Sequence, residues 1–389
     1  MGDQMMDDEE SKSFVAAAAT PNNHNSNSIP VIDLDLNRRS SDEIITELLN
    51  AFTTIGFCTI INHGISSELI SNTFQVSKNF FDLPLDVKLK YKYLSPKSNR
   101  GYIPYGMETH DKTYDSCSDS SLTIPPDQKE TMDIGYDNND EIFKNNWPDK
   151  DIIDDSSSNN DDDNIKFHNV LVEYFSLMDK LYLRLMKYIG QGLGLPDDGE
   201  YLVQKCNGKH ENLRLLHYPG SAVTNTTTSN NIRGNAHTDF GVLTLLVQDE
   251  VGGLKVRRSD GEWIDVKPVP NSIIVNVGDM LMRWSNDKLK ATLHKVVSPT
   301  TTTTTTTTTY DGVEDNDNTD STDKEDEEEV TVIIPERYSI AFFCNANKDA
   351  DIECLETCCN DTDTPRKYPS INSYEYLTQR LAATIQTSP

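Results

Sequence analysis

Basic residues are scarce in this 389-residue chain, 35 Lys and Arg against 63 Asp and Glu, leaving a formal net charge of -28. A surface that acidic repels nucleic-acid phosphates and anionic headgroups, so neither nucleic acid nor membrane is an expected partner, and a small-molecule substrate is. Long apolar runs are missing as well. No stretch of about 18 apolar residues is available to span a bilayer. The N-terminus carries Asp3, Asp7, Asp8, Glu9 and Glu10 in place of the basic and apolar regions of a secretory signal, and Met6 stands where myristoylation of Gly2 needs Ser or Thr. The expected location is cytoplasmic. Cysteine is sparse and odd in number, seven in all, which does not suit a disulfide framework. Cys354, Cys358 and Cys359 cluster without a Cys-x-x-Cys pair or a neighbouring histidine, so they are not read as a zinc site.

What the chain does hold is strong local texture. Residues 1–28 are acidic, then Ala-rich, then Asn/Ser-rich, a composition expected to form a disordered leader. A short strand is expected over 29–34. Ser40 with Glu43 three residues on forms a capping box that opens a helix to about Thr54. Gly56-Phe57 begins a buried strand closed by Asn62-His63-Gly64, and an amphipathic helix follows to about Phe81. Residues 110–163 read as polar loop, and 165–189 as a long helix weakened at Gly190-Gln191-Gly192. From Leu213 onward short strands are expected over 213–218, 241–247, 254–256, 262–266, 272–277, 294–297 and 338–343. Gly252-Gly253, Asp260-Gly261 and Gly278-Asp279 punctuate them, a pattern that points to a sandwich, barrel or jelly roll.

In His237-Thr238-Asp239, alternate residues of an extended chain face one side, so an imidazole and a carboxylate can address a common point. His294 opens a later strand and offers a second imidazole. Two histidines and one carboxylate form the facial set that leaves positions open on Fe(II), although ligand type alone leaves zinc open too. Arg337 and Ser339 again share one strand face, and a guanidinium fork beside a hydroxyl suits the distal carboxylate of a small dicarboxylate. The 43 positions from His294 to Arg337 shrink to 13 once residues 300–329 are set aside. That segment starts with ten threonines and carries eleven acids over 311–329, and it is expected to be an insertion in a surface loop.

His-x-Asp, His294 and Arg-x-Ser in this order resemble the iron- and 2-oxoglutarate-dependent dioxygenase superfamily, in its isopenicillin N synthase-like branch. The resemblance spans nearly all of 29–386. It extends to Asn62-His63-Gly64, Phe80-Phe81, Arg100-Gly101-Tyr102, Lys129-Glu130, Asp133-Ile134-Gly135 and Lys367-Tyr368-Pro369. It implies an α+β fold: a double-stranded β-helix (jelly-roll, cupin-like) core over 208–348 that carries the insertion at 300–329. An N-terminal α/β extension over 29–150, supporting helices over 165–205 and a C-terminal segment over 349–389 would flank it.

It further implies Fe(II) held by residues at the positions of His237, Asp239 and His294, and 2-oxoglutarate held at Arg337, Ser339 and Tyr218, with ascorbate as reductant. The substrate would be a small organic metabolite, oxidised by O2 with release of succinate and CO2 through hydroxylation, desaturation or cyclisation. Arg100, Tyr102 and Tyr105 fall where the resemblance places part of a substrate roof. Phe240 is expected either on the pocket wall or in the core. Leu216 replaces the amide of the plant-type Arg-x-Asn-x-Tyr pattern. Two other readings stay open, an Fe(II) oxidase or cyclase independent of 2-oxoglutarate and a catalytically silent small-molecule-binding protein. The intact ligand trio argues against the second.

Overall fold

Ser40 caps the first helix as expected, accepting a hydrogen bond from the Glu43 amide while the Glu43 side chain returns to the Ser40 amide. The computed structural model describes residues 28–109, 125–137, 143–148, 166–224, 232–299, 301–306, 328–360 and 362–384. Within these, the chain runs through β1 (Val31–Asp33), α1 (Ser41–Thr54), β2 (Phe57–Ile61), α2 (Ser67–Phe81), α3 (Leu85–Lys88), β3 (Gly101–Ile103) and β4 (Glu130–Gly135). Then come α4 (Phe167–Gly192), α5 (Glu200–Cys206), β5 (Asn212–Tyr218), β6 (Ser221–Thr224), β7 (Ile232–His237), β8 (Leu243–Gln248), β9 (Leu254–Arg257) and β10 (Trp263–Asp265). The remainder holds β11 (Ile273–Val277), α6 (Asp279–Trp284), β12 (His294–Val297), β13 (Thr301–Thr306), β14 (Glu328–Ile334), β15 (Arg337–Cys344) and α7 (Ser373–Thr384).

An eight-stranded sheet in the order β1-β2-β11-β8-β15-β5-β4-β3 and a four-stranded sheet in the order β10-β9-β12-β7 form the jelly roll. The N-terminal strands extend the larger sheet at both its edges. Period-two alternation sends successive side chains of that sheet to opposite faces. On β15, Ile340, Phe342 and Cys344 join the core beneath α1, α2 and α4. Ala341, between them, joins a second core with Leu216 and Tyr218 of β5 and Leu254 and Val296 of the smaller sheet. The helices thus cover one face of the large sheet, and its other face is turned to the four-stranded sheet.

One expectation needs correction. Residues 300–329 were read as loop, yet β13 is strand, paired antiparallel from Thr301↔Ile333 to Thr306↔Glu328, and β14 in turn pairs with β6. β-branched threonine favours the extended chain, so the tract extends a hairpin. Residues 307–327 lie outside the described residues, as do 1–27 and most of 110–163. The strands β4 and β7 were not foreseen. Their sequences, Glu-Thr-Met-Asp-Ile-Gly and Ile-Arg-Gly-Asn-Ala-His, show little apolar alternation, and pairing with β5 and β12 supplies what propensity does not.

Glu211, just before β5, is fully buried, and both its carboxylate oxygens lack a hydrogen-bond partner among the described residues. Burial, reinforced by the nearby negative charge of Asp179, pushes its carboxyl up to about 8. An acid whose folded pKa exceeds its unfolded value stabilises the fold fully below the unfolded pKa, and that stability is lost as pH rises through the folded one. Glu211→Gln removes this titration. Denaturant unfolding at pH 5 and near pH 8.5 is expected to show the variant gaining on the parent by on the order of 3 kcal/mol between the two pH values. A difference independent of pH would show that Glu211 is ionised in the fold.

Candidate functional site

β12 pairs antiparallel with β7 so that His294 lies directly opposite His237, and Asp239 follows two residues beyond the end of β7. The imidazole centroids are 4.4 Å apart, and each Nε2 lies 3.7 Å from Asp239 Oδ1. Metal-ligating atoms of the three residues all lie within 4.8 Å of one another, the one such group among the described residues. Among the described residues, Cys354, Cys358 and Cys359 form no such group.

The remaining polar atoms of the trio are already engaged. His237 Nδ1 is 2.7 Å from the Asn235 carbonyl and His294 Nδ1 is 3.1 Å from the Thr292 carbonyl. A carbonyl only accepts, so each Nδ1 carries a proton, and this is the tautomer whose neutral ring offers its lone pair at Nε2. Asp239 Oδ2 accepts hydrogen bonds from Thr244 Oγ1 at 2.6 Å and Asn276 Nδ2 at 2.7 Å, leaving Oδ1 to face the two imidazoles. Behind Asp239, a Cβ on Gly278 would stand 2.3 Å from the Gly241 carbonyl oxygen, so only glycine lets these backbones meet. Two imidazole Nε2 atoms and a carboxylate oxygen converging from one side, each ring or carboxylate fixed from behind, are a donor set that fits a divalent iron with open positions.

The trio shares a cavity with Arg337, Ser339 and Tyr218. Register explains this. Arg337 lies opposite Tyr218 and Ser339 opposite Leu216 across the β15/β5 pair, all on the face turned to the smaller sheet. Arg337 is 1% exposed, yet its partners are neutral: the Gly252 carbonyl at 2.6 Å, Ser339 Oγ at 3.0 Å and Gln248 Oε1 at 3.3 Å. The Tyr218 ring lies 4.8 Å from the guanidinium carbon. A buried cation with no carboxylate bonded to it among the described residues, Asp249 acting on it only through space, is suited to an anionic ligand.

Phe240 lines the cavity, with Arg380 over its ring at 4.5 Å. Arg100 and Tyr102 do not line it, and the roof expectation is corrected for both. Gly135 leaves the space Arg100 occupies, since a Cβ there would overlap the guanidinium, and Arg100 Nη1 bonds Asn212 instead. Tyr102 is buried against Phe80, its hydroxyl donating to Glu130. Tyr105 is 53% exposed. Asn99 takes the place expected of these residues, and Leu377 and Leu381 of α7 supply a wall that sequence reasoning missed. Thr244 and Asn276 were missed too. Asn276 did leave a signal, an amide inside the apolar run of β11.

Residues 29–150 match the family described as non-haem dioxygenase in morphine synthesis N-terminal, and residues 209–346 match the 2OG-Fe(II) oxygenase superfamily. The 2-oxoglutarate-dependent dioxygenase ecdK of Aspergillus rugulosus is 34% identical over 65% of this chain and 74% of its own. The 2-oxoglutarate-Fe(II) type oxidoreductase ppzD of Metarhizium rileyi is 31% identical over 89% of this chain and 87% of its own. Among solved structures, a full-length Neurospora crassa protein in complex with alpha-KG and thymine superposes with a TM-score of 0.71 at 32% identity, covering 92% of this chain and 98% of that one. Among the described residues no helix is long and apolar enough to cross a membrane.

Removing the amide behind Asp239 tests the geometry without touching a proposed ligand. Asn276→Ala is expected to weaken Mn(II) or Fe(II) binding by about 10- to 100-fold, the usual effect of losing a partner behind a metal ligand. Calorimetric titration measures this, with circular dichroism to verify the fold. Unchanged affinity would mean that Asp239 is not held by this bond.

Proposed function

Because the chain belongs to the 2OG-Fe(II) oxygenase superfamily, and so is an oxidoreductase using Fe(II) and 2-oxoglutarate, we propose that His237, Asp239 and His294 hold the iron. Arg337, Ser339 and Tyr218 would hold 2-oxoglutarate. The substrate is a small organic metabolite that is hydroxylated, desaturated or cyclised. When bound, Fe(II), 2-oxoglutarate and O2 supply the oxidation of an unactivated C–H bond, with release of succinate and CO2.

The observation that carries this reading is the pairing of a converged, pre-oriented ligand trio with a buried guanidinium that has only neutral partners, both on one cavity. Arg337 supplies the positive charge and Ser339 a hydroxyl for the distal carboxylate, and Gln248 and Gly252 keep the guanidinium fork in place. Tyr218 supports its flat face. Leu216 brings no polar atom to the cavity, so the clamp works without the amide of the plant-type pattern. Leu246, Leu254 and Val296 wall the cavity with apolar surface that keeps stray water from the reacting carbon. The Neurospora crassa protein's complex with both alpha-KG and thymine supports a fold that admits a small polar molecule as well as the cosubstrate.

Anaerobic titration of Fe(II) and 2-oxoglutarate, followed by the weak visible charge-transfer absorption, tests the assignment. The band is expected in the parent protein and absent in His237→Ala. Arg337→Ala is expected to require about 100-fold more 2-oxoglutarate or more, in line with the loss of a buried charge-assisted pair. Iron binding without the band would favour the 2-oxoglutarate-independent oxidase, with Arg337 gripping a substrate carboxylate. Succinate release under air separates the two readings independently.

A further inference from the structure

The cavity has a second polar pole, built on the opposite charge principle to the Arg337 clamp. Alternate residues of β15 and β5 line the cavity beyond the clamp: Ala341 opposite Arg214, Phe343 opposite Asn212, and then Asn345. Arg214 is four residues along β5 from Tyr218, roughly 13 Å at strand rise. Unlike Arg337, it is matched by acids. Its Nε and Nη2 bond both oxygens of Asp133 at 2.7 Å, and its Nη1 bonds Glu108 Oε1 at 2.9 Å. Lys129 Nζ lies 3.1 Å from Glu108 Oε2 and also bonds Asp127. Asn212 ties Asp133 to Arg100, which brings the cluster to three cations and three carboxylates, all buried. Arg214, Lys129 and Glu108 line the cavity directly.

A pole already neutral within itself gives no return for burying a charged ligand, because an added carboxylate meets as many fixed anions as cations and still loses its hydration. It does offer hydrogen bonds. A guanidinium has five N–H groups and three of those on Arg214 are engaged, so donors remain. Asn345 is 2% exposed and lines the cavity, and its Oδ1 has no hydrogen-bond partner among the described residues, although its Nδ2 bonds the His210 carbonyl. An orphaned acceptor buried at a ligand cavity is completed by a donor that enters the cavity, and a ligand N–H can take the place of a water there. Phe240, Leu377 and Leu381 add apolar surface suited to a flat molecule.

We propose that the substrate pole, defined by Asn345 and the self-neutralised Arg214/Glu108/Lys129 network, selects an uncharged molecule presenting an N–H beside a C=O, an amide, lactam or imide edge, and rejects carboxylic acids. This rests on the oxygenase reading above and names the substrate class for it. The two poles divide the work. The cation with neutral partners takes the anionic cosubstrate, and the cations with acidic partners leave the substrate no charge to carry.

The test uses full-length protein loaded anaerobically with Fe(II) and 2-oxoglutarate, with the charge-transfer band verified first, so that failure of the band counts against the oxygenase reading and not against this one. Uracil and its 6-carboxylate, orotate, differ by one charged group. Binding is read from perturbation of the band and from calorimetry. The parent is expected to bind uracil at least tenfold more tightly than orotate. Glu108→Gln leaves the network with one excess positive charge and is expected to narrow or reverse that ratio by tenfold or more. Asn345→Leu leaves the ion network intact and carries the test should Glu108→Gln not fold. It is expected to weaken uracil at least tenfold with unchanged 2-oxoglutarate affinity. A parent preference for orotate, an unchanged ratio in Glu108→Gln, or binding of neither uracil nor glutarimide to a protein that shows the band would each overturn the proposal.

Discussion

Pairing of β12 with β7 places His294 across from His237, and every feature of the centre follows from that register. A slip of one residue would turn the His294 imidazole to the other face of the smaller sheet, because the side-chain period of a strand is two. Neighbouring contacts guard the register. β12 also pairs with β9, Phe57 of β2 meets the His294 ring edge-on at 5.4 Å, and the Thr292 carbonyl fixes the tautomer. The same period of two on β15 and β5 turns Arg337, Ser339, Tyr218 and Arg214 toward the cavity and the apolar residues between them toward the helices. One geometric rule thus arranges the proposed metal ligands, cosubstrate clamp and substrate pole on a common cavity.

Local signals in the sequence carried a large part of this. The capping box at Ser40, the strands bearing His294 and Arg337 and the long helix α4 were readable because each has its own periodicity or cap. The trio was readable because His-x-Asp puts two ligands on one side of an extended chain. What escaped was set by partners distant in the chain. β7 is polar in composition and becomes a strand only through β12. Arg100 and Tyr102 were transferred by motif position, and the space above Gly135 and the carboxylate of Glu130 drew them elsewhere. The ion network around Arg214 draws on residues from Arg100 to Arg214, and its charges cancel only once folding has assembled it.

The overall charge of -28 says little about the cavity, whose two poles are respectively cationic and neutral. The acidic run after the threonine tract, with eleven acids and Lys324 over 311–329, alone supplies a net 10 of these negative charges. Affinity for an anion depends instead on how each buried cation is partnered. Arg337 and Arg214 are both guanidiniums on adjacent strands of one sheet, and their partners differ, neutral groups for the one and carboxylates for the other.

The hairpin of β13 and β14 is attached to the fold through β6, which pairs with β14 from Thr331 to Ile334, while the threonines pair with β14 from Ile333 to Glu328. A run of identical residues has no unique alignment with its partner, since a two-residue slip presents the same side chains to the same faces. Its length is therefore a free parameter. Codons can be gained or lost in such a tract between generations, while the pairing of β14 with β6, and Arg337 just past β14, stay where they are. Length polymorphism here is expected to be neutral for catalysis, so lineages carrying different numbers of threonines would share one enzyme.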